Sequence, residues 1–213
     1  MAVIADTPWH AKKAAAAVTV QWDHGPAATL SSAAVMTQLT QALDQAQGFG
    51  YHSVGDVDKA LQGAATTLTA DYRAPYLAHA TMEPINCTVQ FKDGAASVWT
   101  STQVPGLARM AAAKALGIDE DKVTVHQLLL GGGFGRRLEV DYVAQAAAIA
   151  KAAGGAPVQT LWSREQDMQH DFYRPACVAR FKAGLDAQGK PWLDLIATAS
   201  NEHLPEPDWK NPG

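Results

Sequence analysis

Apolar and polar positions follow two different rhythms along this chain. In the second half, short β-branched runs alternate with period two. "NCTVQF" and "AASVWTST", residues 86–91 and 95–102, flank "KDG" in this way, which predicts a hairpin turning on Asp93 and Gly94. "KVTVHQLLL", residues 122–130, is apolar enough for a buried strand; "PVQTLWS", residues 157–163, reads as another. A further hairpin is expected from "ACVARFKAGLD" and "PWLDLIATAS", residues 176–186 and 191–200, around "AQGK". Helical spacing marks "PGLARMAAAKALG", opened by Pro105 and closed by Gly117, and "EVDYVAQAAAIAKAAGG", which ends at Gly154 and Gly155.

Nearer the start, residues 1 to about 24 read as strand, helix, strand: "AVIA", then "PWHAKKAAAAV" with Pro8 at its first turn, then "TVQWD". "GPAATLSS" is linker-like, and Ser31 or Ser32 can cap the helix "AAVMTQLTQALDQA", which stops at Gly48. "GFGYHSVGD" is loop, Asp56 can cap a turn "VDKALQG", and "ATTLTADYRAPYLAH" is a strand run. "REQDMQHDFYRP" reads as a polar turn, and no repeat or low-complexity segment interrupts the pattern. The fold class is therefore α+β, with mixed sheets and packed helices. The opening in "AVIA" and the tail "NEHLPEPDWKNPG", which closes no element, lead us to expect a piece of a larger protein.

Between a strand and a helix stands "LLLGGGFGRR", residues 128–137, with glycine at Gly131, Gly132, Gly133 and Gly135. A glycine turn in that setting makes an anion-binding geometry, because free N–H groups of the turn and the first helical turn converge. A mobile surface loop is the bland alternative, and the strand and helix signals at its flanks argue against it. Arg136 and Arg137 follow the last glycine where a triphosphate-binding loop needs Lys and then Ser or Thr. The dinucleotide fingerprint fails as well, since its third glycine would fall on Arg136 or Leu138.

Composition narrows the partners. In 213 residues the hydrophobic share is 47%, the charged share 18% and the formal net charge −4, an ordinary globular balance that does not suit a nucleic-acid surface. No apolar run is long enough to span a bilayer and the N-terminus lacks the signature of a signal peptide. Cys87 and Cys177 are expected as buried reduced thiols, and the seven histidines are too scattered for a protein-ligated metal. His79, Glu83, His170, Asp171 and Tyr173 would suit catalysis by type. For Glu83 a carboxylate capping loop N–H groups is the stronger reading, and for "HDFYRP" a structural turn with Asp171 or Arg174 in an ion pair. His126 fits a packed or edge position, and Trp99, Trp162 and Trp192 fit a core.

Taken in order, "LAHATMEPINCTV", "VWTSTQVPG", "LLLGGGFGRRLEVDYVAQAA" and "LWSREQDMQHDFYRP" resemble the molybdopterin-binding subunit of the xanthine dehydrogenase/aldehyde oxidase family. The double arginine and "HDFYRP" resemble its isoquinoline 1-oxidoreductase beta-subunit branch, which includes membrane-associated aldehyde dehydrogenases. The resemblance covers about residues 70 to 190, and residues 1–24 are similar to the end of the family's small α/β hammerhead domain. It implies three segments: 1–24 from that domain, 25–70 a linker and helical connection, and 71–213 the first part of the molybdopterin-binding domain.

The cofactor so implied is molybdopterin, or molybdopterin cytosine dinucleotide, carrying molybdenum through its own dithiolene rather than through protein side chains. Gly132, Gly133, Phe134 and Gly135 match the loop that passes the metal centre. Gln103 matches the glutamine whose amide approaches the oxo group, and Arg136 is implied as a partner for the cofactor's phosphates. Purine-oxidising members carry a glutamate where Leu138 stands, so an apolar aldehyde or aromatic N-heterocycle is the implied substrate, oxidised with oxygen from water. Electrons would pass to an iron–sulfur partner subunit. The family's general base lies in a "GxGE"-type motif that this chain does not contain, so no catalytic residue is expected here and the chain alone is expected to be inactive.

Periplasmic or membrane-associated location is implied, with cytoplasmic left open. A free-standing binding or assembly module on the same scaffold is the alternative, and a nucleotide-dependent enzyme a third. Self-association of the piece is expected from apolar surface left uncovered.

Overall fold

The computed structural model describes residues 1–45 and 54–200. In chain order the first elements are α1 (Pro8–Ala16), α2 (Ser32–Gln45), α3 (Val57–Gly63), β1 (Thr66–Ala74), β2 (Asn86–Lys92), β3 (Ala95–Thr100) and α4 (Pro105–Leu116). They are followed by β4 (Val123–Gln127), α5 (Asp141–Ala152), β5 (Val158–Leu161), α6 (Arg164–Gln169), β6 (Cys177–Leu185) and β7 (Pro191–Ser200). Two compact units form, each from two separated stretches of chain: Met1–Trp22 with Ala78–Tyr173, and Asp23–Leu77 with the described residues from Arg174 onward.

The first unit is a four-stranded sheet in the order β4-β3-β2-β5, with β3 and β4 parallel and the other pairs antiparallel. Period-two alternation sends Cys87, Val89, Ala96 and Val98 to one face, where α4 and α5 cover them. Those helices bury alanine at four-residue spacing, Ala108 and Ala112 on α4 and Ala146 and Ala150 on α5, and such small side chains let helix and sheet backbones approach closely. Asp93 and Gly94 turn the β2–β3 hairpin with φ 52° and 76°, the paired left-handed conformation of a two-residue turn. Gly117 closes α4 in the left-handed region, with its N–H on the carbonyl of Ala113.

The second unit is the antiparallel sheet β1-β6-β7. Ser31 caps α2 through the N–H of Ala34, and Asp56 caps α3 through that of Lys59. Its core is small: Leu39 of α2 meets Ala176 and Val178, with Val35, Met36 and Leu43 packed alongside. Arg180 of β6 joins Asp71 of β1 and Asp44 of α2 across its polar flank.

Several expectations change. "AVIA" and "TVQWD" are not strands; only α1 between them is regular, capped by Thr7. β4 stops at Gln127, and Leu128, Leu129 and Leu130 are exposed, Leu129 by 95%, so the leucines do not continue a buried strand. "REQDMQ" is the helix α6 rather than a turn, because Ser163 and Gln166 form a reciprocal capping box. Gly48, His52 and the tail after Ser200 lie outside the described residues, as do the surroundings of Trp192. No helix among the described residues is long and apolar enough to cross a membrane.

Candidate functional site

Three turns of the first unit meet at the glycine loop: residues 79–83, the stretch after β3 at 101–103, and 128–137. Arg137 ties them together. Its side chain is fully buried and uses every donor it has: Nε to the carbonyl of Gly132 (2.9 Å), Nη1 to the carbonyl and hydroxyl of Ser101 (3.1 and 2.7 Å), and Nη2 to the carbonyl and carboxylate of Glu83 (both 2.9 Å). A buried guanidinium is tolerated only with such complete pairing. The backbone answers in the same place, since Gln103 N–H and Thr102 Oγ1 both donate to the carbonyl of Arg137, at 3.0 and 3.1 Å.

Glu83 is the second knot. Oε2 accepts from Gly131 N–H at 2.9 Å, from Ser101 Oγ at 3.2 Å and from Arg137, while Oε1 accepts from Asn86. Partial burial pushes its carboxyl pKa up, but the hydrogen bonds from Asn86 and Gly131 and the charge of Arg137 outweigh this and hold it below the ordinary value of 4.5. Glu83 is thus the loop-capping carboxylate that its type and position suggested.

The protein's own side chains press on the glycines, hardest at Gly131. A Cβ at Gly131 would stand 2.4 Å from Glu83 Cβ, one at Gly133 2.7 Å from Gln103 Oε1, and one at Gly135 3.3 Å from His79 Nε2. Gly132, Phe134 and Gly135 all sit in the left-handed region, at φ 108°, 54° and 107°. For Phe134 that conformation is strained, at about 1–2 kcal/mol, yet its ring remains 65% exposed.

The loop's donors divide into two sets. Gly131 N–H is taken by Glu83, Gly135 N–H by Gln103 Oε1 at 3.2 Å, and Arg136 N–H by the carbonyl of Gly133 at 2.9 Å. The N–H groups of Gly132, Gly133 and Phe134 find no acceptor among the described residues, nor does the amide nitrogen of exposed Gln103. With Gln103 Oε1 accepting from Gly135, its NH2 is left as a neutral donor. A single 3-10 turn, Arg136–Leu138, follows, and α5 begins only at Asp141, so its first turn does not continue the cradle as a strand–turn–helix motif would.

Arg136 is paired within the domain. It is 1% exposed, with Nη1 and Nη2 on the Asp141 carboxylate at 2.9 and 3.1 Å and Nε 3.1 Å from Asp171 Oδ1, and it lies over the rings of Tyr142, Trp162 and Phe172. The Nε contact is an ion pair by distance without hydrogen-bond alignment. Two internal carboxylates, of Asp141 and Asp171, pair with this guanidinium, which is buried in the domain.

His79 and Asp171 meet across the chain, with Nδ1 3.1 Å from both carboxylate oxygens. His170 lies tilted on Trp162, and His126 stacks on Trp99 of the neighbouring strand; neither joins the loop. Burial pushes the Cys87 thiol up to about 12, so it is an inert core group. Among the described residues no three His, Cys, Asp or Glu are placed to hold a metal ion.

Unpaired backbone N–H groups and a neutral amide donor are the donor chemistry that suits an anionic, oxygen-rich group, and such a set is compatible with a molybdopterin that brings its own metal ligands. The comparisons agree with that class. Residues 40–192 match the molybdopterin cofactor-binding domain family, and the chain belongs to it. It is 33% identical over 189 residues to the membrane-bound aldehyde dehydrogenase [pyrroloquinoline-quinone] of Gluconacetobacter polyoxogenes, covering 88% of this chain and 24% of that protein. It is 39% identical over 130 residues to isoquinoline 1-oxidoreductase subunit beta of Brevundimonas diminuta, covering 61% and 16%. Quinoline 2-oxidoreductase from Pseudomonas putida 86 shares the fold with a TM-score of 0.67 at 18% identity, over 91% of this chain and 25% of that one. The chain thus spans about a quarter or less of the length of these relatives.

Proposed function

We propose that this domain builds one wall of the molybdopterin pocket in a molybdenum hydroxylase that oxidises an aldehyde or aromatic N-heterocycle. The observation that carries it is the set of unspent N–H groups at Gly132, Gly133 and Phe134, with the Gln103 amide held beside them. When bound, the molybdenum group supplies the two-electron acceptor and the site at which water-derived oxygen is delivered. Residues of this chain bind and orient. The loop N–H groups donate to the cofactor's oxygens, Gln103 Nε2 adds a donor without adding charge, and Phe134 offers an exposed apolar face at the mouth. Half-exposed Leu138 leaves that mouth without the carboxylate a purine would need, which favours an apolar substrate. Arg136 takes no part in this pocket.

The complete enzyme would hand electrons to an iron–sulfur partner subunit, and the pterin would carry either its own phosphate or a cytidine nucleotide. The deciding measurement is metal and pterin analysis of the full-length gene product from a host able to make the cofactor. Stoichiometric molybdenum supports the proposal, and nucleotide release on acid hydrolysis tells the two cofactor forms apart. A protein that folds but carries neither molybdenum nor pterin would overturn it.

A further inference from the structure

His79 and Asp171 are the one buried acid–base pair at this site that the cofactor cradle does not use, with side chains 10% and 2% exposed. Asp171 grips His79 twice, through the ring Nδ1 and through the backbone N–H, and is itself fixed by Arg136. A carboxylate only accepts, so in the neutral ring Nδ1 carries the hydrogen and Nε2 keeps its lone pair. That Nε2 faces Gly135: it lies 3.3 Å from the position a Cβ there would take. On its other side Gly135 gives its N–H to Gln103 Oε1. Both contacting segments are strained where they meet, for Ala80, next to His79, has φ 48° and Phe134, next to Gly135, has φ 54°. Apart from Asp93 in the hairpin turn, these are the only non-glycine residues with positive φ among the described residues.

We propose that His79, oriented by Asp171, is a positioning residue for the cofactor loop, acting on Gly135 and through its N–H on the direction of the Gln103 amide. It rests on the cofactor-pocket reading in its functional consequence, but the mechanical part stands without cofactor. Asp171 sets the ring, the ring backs Gly135, and Gly135 holds Gln103 Oε1 so that Nε2 points outward. Loss of the ring frees residues 131–135 while leaving the sheet and helices beneath intact.

The test is hydrogen exchange on the cofactor-free protein, wild type against His79→Ala and His79→Asn, with thermal unfolding alongside. Asparagine can still reach Asp171 with its amide but has no atom at the Nε2 position. Both variants should raise exchange in the glycine loop about tenfold or more, with protection in β2, β3, α4 and α5 unchanged and His79→Asn unfolding close to wild type. Loop exchange as in the wild type, or His79→Asn protecting the loop fully, would overturn the proposal; so would exchange rising evenly over the whole unit. Should His79→Ala fail to fold, His79→Asn carries the test alone. In the full-length enzyme the same variants should retain several-fold less molybdenum per chain. Wild-type protein without molybdenum would remove the cofactor reading and leave the exchange result standing.

Discussion

Two turns of the first unit share a backbone signature in different surroundings. At the β2–β3 hairpin, Asp93 and Gly94 adopt φ 52° and 76°; at the glycine loop, Phe134 and Gly135 adopt 54° and 107°. A Cβ added to Gly94 would meet nothing within 4 Å. In the glycine loop, a Cβ on Gly131, Gly133 or Gly135 would clash with or crowd Glu83, Gln103 and His79 respectively, residues 48, 30 and 56 positions away in the chain (131 − 83, 133 − 103 and 135 − 79). The hairpin turn needs glycine for its dihedral angles alone, whereas in the loop Gly132 and Gly135 need it for theirs and Gly131 meets a side chain from another part of the fold. One conformation can therefore be a local matter or a tertiary one, and only the surroundings distinguish the two.

The contrast can be broken most severely at Arg137. Replacing it with Met removes the charge partner of the partly buried Glu83 carboxylate and a donor from the carbonyls of Gly132, Ser101 and Glu83, and should cost about 3–5 kcal/mol in chemical denaturation. A loss under about 1 kcal/mol would mean that the three turns are held by something else.

Gly131→Ala comes next. The obstructing atom is Glu83 Cβ, next to the backbone and unable to swing aside, so a loss of about 1–3 kcal/mol is expected together with release of the Gly131–Glu83 bond. Amide exchange at Gly131 reads that release directly.

Acid separates the two turns without a mutation. The Glu83 carboxyl is held below 4.5 in the folded protein, so its contribution to stability is present above that value and is lost as pH falls through the lower folded value. Glycine-loop amides should thus lose protection below about pH 4.5 before those of the β2–β3 hairpin, and Glu83→Gln should abolish the difference. The smallest effect is expected from Gly94→Ala, about 1 kcal/mol for a left-handed alanine in open space, with loop exchange unchanged. If that substitution disturbed the loop, the two turns would not be independent.

Much of this architecture was legible in the sequence. The period-two runs became β2, β3 and β5, Pro105 and Gly117 bounded α4, Asp56 capped α3, and the α+β class followed. Those features were readable because each depends on neighbours within a few residues. Motif order also pointed to the molybdopterin family, which the match over residues 40–192 establishes. Side-chain roles were harder to read. Arg136 and Arg137 are adjacent and chemically alike, yet Arg136 sits among two aspartates and three rings while Arg137 binds the three turns together. Neither spacing nor composition separates them, since their partners are distant in the chain. The leucines at 128–130 misled for a similar reason: an apolar run looks the same whether it enters a core or emerges from it.

By itself, then, the sequence determined where β2, β3, α4, α5 and the hairpin turn form, and that glycines crowd together at 131–135. Only the tertiary structure decided what crowds them. The dihedral preferences of a turn are local energies written in consecutive residues, whereas the approach of Glu83, Gln103 and His79 is a contact made by chain folding from far away, and it decides which loop N–H groups are spent and which remain unpaired.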